Sequence, residues 1–118
     1  MTNAFKSTWE TYNSSWKAES ADEKRAIFQT CLSPTCVYND PLATTKGWEE
    51  LVNYMTSFHE QVPGGHFETH YFLAHNNQSI ARWHMKDGKE QIIGEGMSYG
   101  KYDKEGKLIS MTGFFENP

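Results

Sequence analysis

The chain has 118 residues, 37% hydrophobic, 14% aromatic and 22% charged, with 11 basic against 15 acidic residues and a formal net charge of -4. That length suits one domain over 1–118 with a real core; 4 Trp, 6 Tyr and 7 Phe exclude disorder, and the acidic balance argues against nucleic acid as the main partner. No apolar run approaches the roughly 18 residues that span a bilayer, so no membrane partner is expected, and the opening Met1–Lys6 lacks a secretory pattern, so the expected location is cytoplasmic.

The first third reads as helices. Phe5, Trp9, Tyr12 and Trp16 recur at intervals of four, three and four, one stripe on a helix opened by Thr2 or Asn3. Ser20-Ala21-Asp22-Glu23 is a capping box, which opens a second helix with Ile27, Phe28, Cys31 and Leu32 on one face and Pro34 as its stop. A short strand over about Thr35–Asn39 ends at Asp40-Pro41. A third helix opens near Thr45 or Gly47, carries Trp48, Leu51, Val52, Met55, Phe58 and Val62 at helical period, and stops at Pro63-Gly64-Gly65.

The remainder reads as four strands near His66–His75, Ser79–Lys86, Gln91–Tyr102 and Lys107–Glu116, divided by Asn76-Asn77, Asp87-Gly88 and Asp103-Lys104-Glu105-Gly106. Such short connections make an antiparallel meander. Helices followed by strands give an α+β fold, with three N-terminal helices packed in a curved antiparallel sheet. Alternation puts Ala81, Trp83 and Met85 on one side of their strand and Arg82 and His84 on the other. On the next strand Gly94, Gly96, Ser98 and Gly100 share a face. A glycine row packs nothing of its own, so it marks either a bend or a hollow.

Cys31 and Cys36 have no metal or redox spacing and read as small buried apolar groups. His66, Glu68 and His70 share a strand face, which formally permits a metal site, but alternation alone does not confirm a third protein ligand and no metal is expected; His59 suits the carbonyl end of its helix. There is no nucleophilic triad, phosphate loop or dinucleotide fingerprint, so no cofactor is expected.

Val37-Tyr38-Asn39-Asp40-Pro41-Leu42, followed by Gly47 and the Trp48–Val62 helix, resembles the nuclear transport factor 2-like superfamily. The likeness is to its branch of ketosteroid isomerases, limonene epoxide hydrolases and SnoaL-like polyketide cyclases. Gly94-Glu95-Gly96-Met97-Ser98-Tyr99 and Gly106–Phe115 are similar to that superfamily's closing strands. The resemblance implies a cystatin-like roll, a cone with an apolar pocket at its open end. It makes Asp40 the counterpart of the ketosteroid isomerase base, a carboxylate at an apolar rim. It puts Ser98 where that enzyme has a protonated Asp; a serine also donates one hydrogen bond but is less acidic. Tyr12 and Trp16 both stand near the first-helix Tyr. Against limonene epoxide hydrolases, Tyr38, Asp40 and Arg82 fall near a Tyr, Asn and Arg, while His84 and Gly113 fall where the two catalytic Asp residues stand. That alignment implies Arg82 and His84 inside the cone.

On this resemblance the polar set is Asp40 as base, His84 as acid or second base, and Tyr38, Arg82 and Ser98 as ligand contacts, with Arg82 holding an oxyanion or carboxylate. Met55, Phe58, Met111 and Phe115 are the expected apolar walls. The implied activity is acid–base chemistry on an apolar small molecule (isomerisation, cyclisation or hydration). The alternatives are a noncatalytic ligand-binding or dimerisation module, and an Asp40 that only organises a turn. Sheets of this superfamily commonly pair through their outer faces, so a homodimer is expected there, with Ala81, Trp83, Met85, Met97 and Tyr99 as the apolar face.

Overall fold

The computed structural model describes residues 2–116. In chain order the elements are α1 (Thr2–Ser14), α2 (Ala21–Cys31), β1 (Leu32–Asn39), β2 (Thr44–Lys46), α3 (Gly47–Gln61), β3 (His66–His75), β4 (Gln78–Lys86), β5 (Ile92–Tyr102) and β6 (Leu108–Phe114). The fold is α+β: three helices cover one face of a six-stranded sheet ordered β2-β1-β6-β5-β4-β3.

The aromatic stripe of α1 faces inward as its spacing requires, and Trp9, Tyr12 and Trp16 are all buried. Trp16 lies just past the helix, where i to i+3 backbone bonds from Ser15, Trp16 and Lys17 tighten the chain into one more turn. The side chains of Thr2 and Asn3, the expected cap, lie outside the described residues. At the start of α2 the capping box forms in full: Glu23 N–H donates to Ser20 Oγ, and Ser20 N–H to Glu23 Oε1, each at 3.1 Å.

Two boundaries differ from the sequence expectation. The chain leaves α2 at Leu32 with extended geometry and enters β1 at once, so Pro34 sits inside a strand rather than ending a helix. It is tolerated because the β1–β6 register shifts between Leu32 and Val37, where no regular ladder bond is needed from it. The short β2 is an added strand, paired antiparallel with β1.

The sheet is antiparallel from β3 to β6, as the Asn76-Asn77 and Asp87-Gly88 turns dictate, but β6 closes onto β1 in parallel. Asn76 and Asn77 take positive φ values of 50° and 58°, the backbone of a tight two-residue hairpin.

Register decides which face looks inward. Ala81 pairs with Ser98 and Trp83 with Gly96, and this set faces the helices, with Ala81 and Trp83 buried. Arg82 pairs with Met97 and His84 with Glu95 on the outer face. The expected inward placement of Arg82 and His84 is therefore corrected. So is the expected outer face, since Ala81, Trp83 and Met85 turn inward while Met97 and Tyr99 turn outward. The physical cause is burial: one strand cannot hide both Trp83 and its charged neighbours, and an indole gains far more from leaving water.

Candidate functional site

The Asp40 carboxylate sits where β1 ends, and four donors converge on it. Tyr38 Oη donates to Oδ2 at 2.5 Å, and Tyr54 Oη, reaching from α3, donates to the same oxygen at 2.8 Å. The backbone N–H groups of Leu42 and Ala43 donate to Oδ1 at 2.8 and 3.1 Å. The turn role and the site role thus coexist. One oxygen organises the Asp40-Pro41-Leu42-Ala43 turn, while the other faces two phenols. Burial, and after it the neighbouring tyrosines and the Asp40 charge, raise the pKa of Tyr38; burial and Asp40 do the same for Tyr54. Both phenols therefore stay protonated and keep donating throughout the ordinary pH range.

Behind this carboxylate lies a cavity of about 30 Å³, lined by Trp9, Tyr12, Trp16, Tyr38, Phe67, Trp83, Asn13, Ser98 and Gly113. Gly113 joins the two features: a Cβ there would lie 3.4 Å from Asp40 Cβ and 3.6 Å from Tyr38 Oη. Trp16 is the hub of the aromatic wall, its ring 5.7 Å from Tyr38, 5.5 Å from Phe58 and 5.3 Å from Phe67 between centroids.

The polar lining is rich in donors. Trp16 Nε1–H donates to Tyr12 Oη at 3.0 Å, leaving the Tyr12 proton available, and burial holds the Tyr12 pKa high. Trp83 Nε1–H donates to Ser98 Oγ at 3.0 Å, leaving the serine proton available in the same way. Trp9 Nε1–H is buried without any acceptor. A buried donor without a partner is costly, so this lining suits an oxygen atom that can accept.

Tyr38 and Ser98 line this cavity together with Tyr12 and Trp16, the two candidates for the first-helix tyrosine, and Tyr38 links it to Asp40; the structure adds Trp9 and Trp83 to the lining and Tyr54 to the Asp40 carboxylate, which sequence reasoning did not assign to the site. Tyr54 had a signal: it stands three residues after Leu51 and four before Phe58, on the edge of the buried stripe of α3. Met55 and Met111 are core residues, both essentially inaccessible, and do not line the cavity. Phe58 braces Trp16 from behind, and Phe115 packs 6.2 Å from Trp83.

Arg82 and His84 do not join the set. His84 stacks on His70 at 4.4 Å between ring centroids, and the Arg82 guanidinium lies 5.7 Å from the Tyr71 ring centre, both on the outer face. There an open groove of about 800 Å³ is lined by His70, Arg82, Glu95, Met97, Phe114 and Phe115 among others. An Asp40–His84 proton shuttle is excluded by this arrangement, because the sheet stands between them.

Among the described residues no three His, Cys, Asp or Glu side chains are grouped to hold a metal ion, and no helix is long and apolar enough to cross a membrane. Cys31 and Cys36 are free and buried, and burial raises their thiol pKa values to about 12 and about 11.

A family model for the SnoaL-like domain matches residues 10–111. The chain belongs to the SnoaL-like family. No curated protein sequence matches this SnoaL-like domain. Solved structures do. A proposed isomerase of the SnoaL-like family from Agrobacterium tumefaciens superposes with TM-score 0.88 at 18% identity, over 98% of this chain and 99% of that one. A proposed SnoaL-like polyketide cyclase from Jannaschia gives 0.79 at 12% identity, over 98% and 87%. TerC, co-crystallised with polyporic acid, gives 0.77 at 9% identity, over 96% and 92%. At such identities the likeness is one of fold, the cystatin-like roll of the nuclear transport factor 2-like superfamily, on which different members carry different chemistries.

Proposed function

We propose that this SnoaL-like domain binds a compact carbonyl compound at the mouth beside Asp40 and moves a proton on it, with Asp40 as the base. The observation that carries the reading is a half-buried carboxylate that adjoins, through Tyr38 and Gly113, an aromatic cavity lined by hydrogen-bond donors. A C–H next to a carbonyl would give its proton to Asp40 Oδ2 as the ligand displaces the Tyr54 hydroxyl. The electron pair left on carbon moves to the carbonyl oxygen, where Tyr12, Ser98 and Trp9 can donate. Returning the proton from Asp40 to another carbon completes an isomerisation; attack of the enolate carbon on a second carbonyl of the same molecule forms a C–C bond and an alkoxide, and return of the proton from Asp40 to that alkoxide completes a cyclisation. With His84 on the other face, Asp40 is both acceptor and donor of that proton.

The names of the Agrobacterium and Jannaschia structures, and the small molecule held by TerC, are consistent with a ligand of this kind. A second reading, a noncatalytic ligand-binding module, is favoured by the four hydrogen bonds already made to Asp40, which approach the capacity of a carboxylate. Turnover of a panel of β,γ-unsaturated ketones and 1,3-diketones separates the two. Catalysis abolished by Asp40→Asn with ligand binding retained supports the base. Binding without turnover in the wild type supports the module.

The outer face favours a homodimer. Tyr71, Leu73, Ile93 and Phe114 are exposed there, Phe114 at 56%. Arg82 and Lys101 stand with Glu95 on that face, so a twofold pairing can set opposite charges together. Free, buried thiols suit a cytoplasmic setting.

A further inference from the structure

The glycine-lined trough of β5 is occupied by the protein itself. A Cβ at Gly96 would come within 2.6 Å of two ring carbons of Trp83, so the indole lies directly on the space that glycine vacates. Its Nε1–H is anchored on Ser98 Oγ at 3.0 Å, Phe67 meets it edge-on at 4.9 Å, and it is only 8% exposed. What remains between Trp83 and Trp9 is the cavity of about 30 Å³. That is the space of about one water or one ligand oxygen, whereas pockets that enclose whole drug-sized molecules run to roughly 300–1,000 Å³. Part of the deficit is therefore set by this one side chain, which fills the glycine trough, and the rest by Trp9, Tyr12, Trp16 and Phe67.

We infer that Trp83 is the specificity-determining residue of this site. With the indole in place the cavity takes a single ligand oxygen and holds the ligand's body at the rim, beside Asp40. The ligand class is small one-ring or acyclic carbonyl compounds, and fused multi-ring ones are excluded. This rests on reading the Asp40 cavity as a carbonyl site, so the test carries a probe that is independent of that reading.

Wild type, Trp83→Ala and Trp83→Phe are titrated by calorimetry with cyclohex-2-enone, a two-ring enone and a four-ring steroid enone, and separately with indole. Wild type should bind the two-ring compound at least tenfold more weakly than cyclohexenone, and Trp83→Ala should erase that step. Indole should bind Trp83→Ala saturably and leave the wild type untouched. The inference is overturned if Trp83→Ala keeps the wild-type size order and takes up no indole. It is equally overturned if wild type binds the four-ring enone as tightly as cyclohexenone. Indole uptake by Trp83→Ala, with no enone bound by any of the proteins, would support the occupied trough and overturn the carbonyl reading instead. Should Trp83→Ala fail to fold by circular dichroism, Trp83→Phe, which keeps the ring packing but opens part of the trough, carries the same size comparison.

Discussion

Removing the Asp40 carboxylate should unfold the protein more easily by an amount that can be assigned to named bonds. In Asp40→Ala the Tyr38 hydroxyl, 8% exposed as a residue, loses its 2.5 Å acceptor and cannot reach bulk water. A buried donor stripped of a charged acceptor costs about 2–3 kcal/mol. The Leu42 and Ala43 amides lose theirs too, but lie near the surface and can turn to solvent, so their share is about 0.5–1 kcal/mol. Together these make Asp40→Ala about 3 kcal/mol less stable than wild type. Tyr38→Phe leaves Asp40 with Tyr54 and both amides and should cost about 1–2 kcal/mol. The double variant must then cost less than the sum of the singles, by about 2 kcal/mol, since the orphaned hydroxyl is gone. Equilibrium urea unfolding of the four proteins at constant m gives this coupling directly. Additivity within about 0.5 kcal/mol would refute the reasoning, because it would mean that the Tyr38–Asp40 bond contributes nothing in solution.

Gly96→Ala should cost at least about 1–3 kcal/mol in thermal or urea unfolding, since its methyl group meets the Trp83 ring and lies 2.5 Å from the Phe114 carbonyl oxygen. Ser20→Ala, which removes the Oγ acceptor of the Glu23 N–H and leaves the reverse backbone bond to Glu23, should cost about 1 kcal/mol in the same assay. Tyr12, Tyr38 and Tyr54 have folded pKa values above their unfolded value near 10, so the stability they contribute is fully present below pH 10 and lost as pH rises further. Their ionisation, followed by absorbance near 295 nm, should coincide with alkaline unfolding rather than precede it. On the proposed outer-face pairing, wild type should run as a dimer in light scattering and Phe114→Glu as a monomer of unchanged fold by circular dichroism, as this ring is exposed in a single chain.

Local chemistry made much of the fold legible before any coordinates. The stripe Trp9, Tyr12 and Trp16, the Ser20–Glu23 box and the Asn76-Asn77 turn each carry a short-range signal, and each forms as that signal requires. The parallel β1–β6 pairing has no such signal, because Leu32 and Leu108 meet only through the whole intervening chain. Strand alternation correctly grouped Arg82 with His84 and Ala81 with Trp83, yet a period of two is symmetric and says nothing about which group faces the helices. Burial of Trp83 breaks that symmetry, and the comparison with epoxide hydrolases pointed the other way. The Asp-Pro step announced the turn at Asp40 and the family resemblance made that residue a candidate, whereas Tyr54, its second phenol partner, was hidden as one more aromatic residue on an amphipathic helix. The occupied trough was hidden for a similar reason: the glycine row announced free volume, and only the register of β4 against β5 reveals which side chain fills it.

The parallel closure of β6 on β1 also governs when the site can exist. Tyr38 pairs with Met111 and Asn39 with Thr112, so the strand that delivers Asp40 gains β2 on one edge from close by in the chain but its other edge only from a segment far along it. During synthesis the helices can form early and locally, but the carboxylate has no finished wall behind it until that distant hydrogen-bonded ladder zips up. Pairings of such high sequence separation are the slow ones in folding, which makes assembly of this pocket a late folding event.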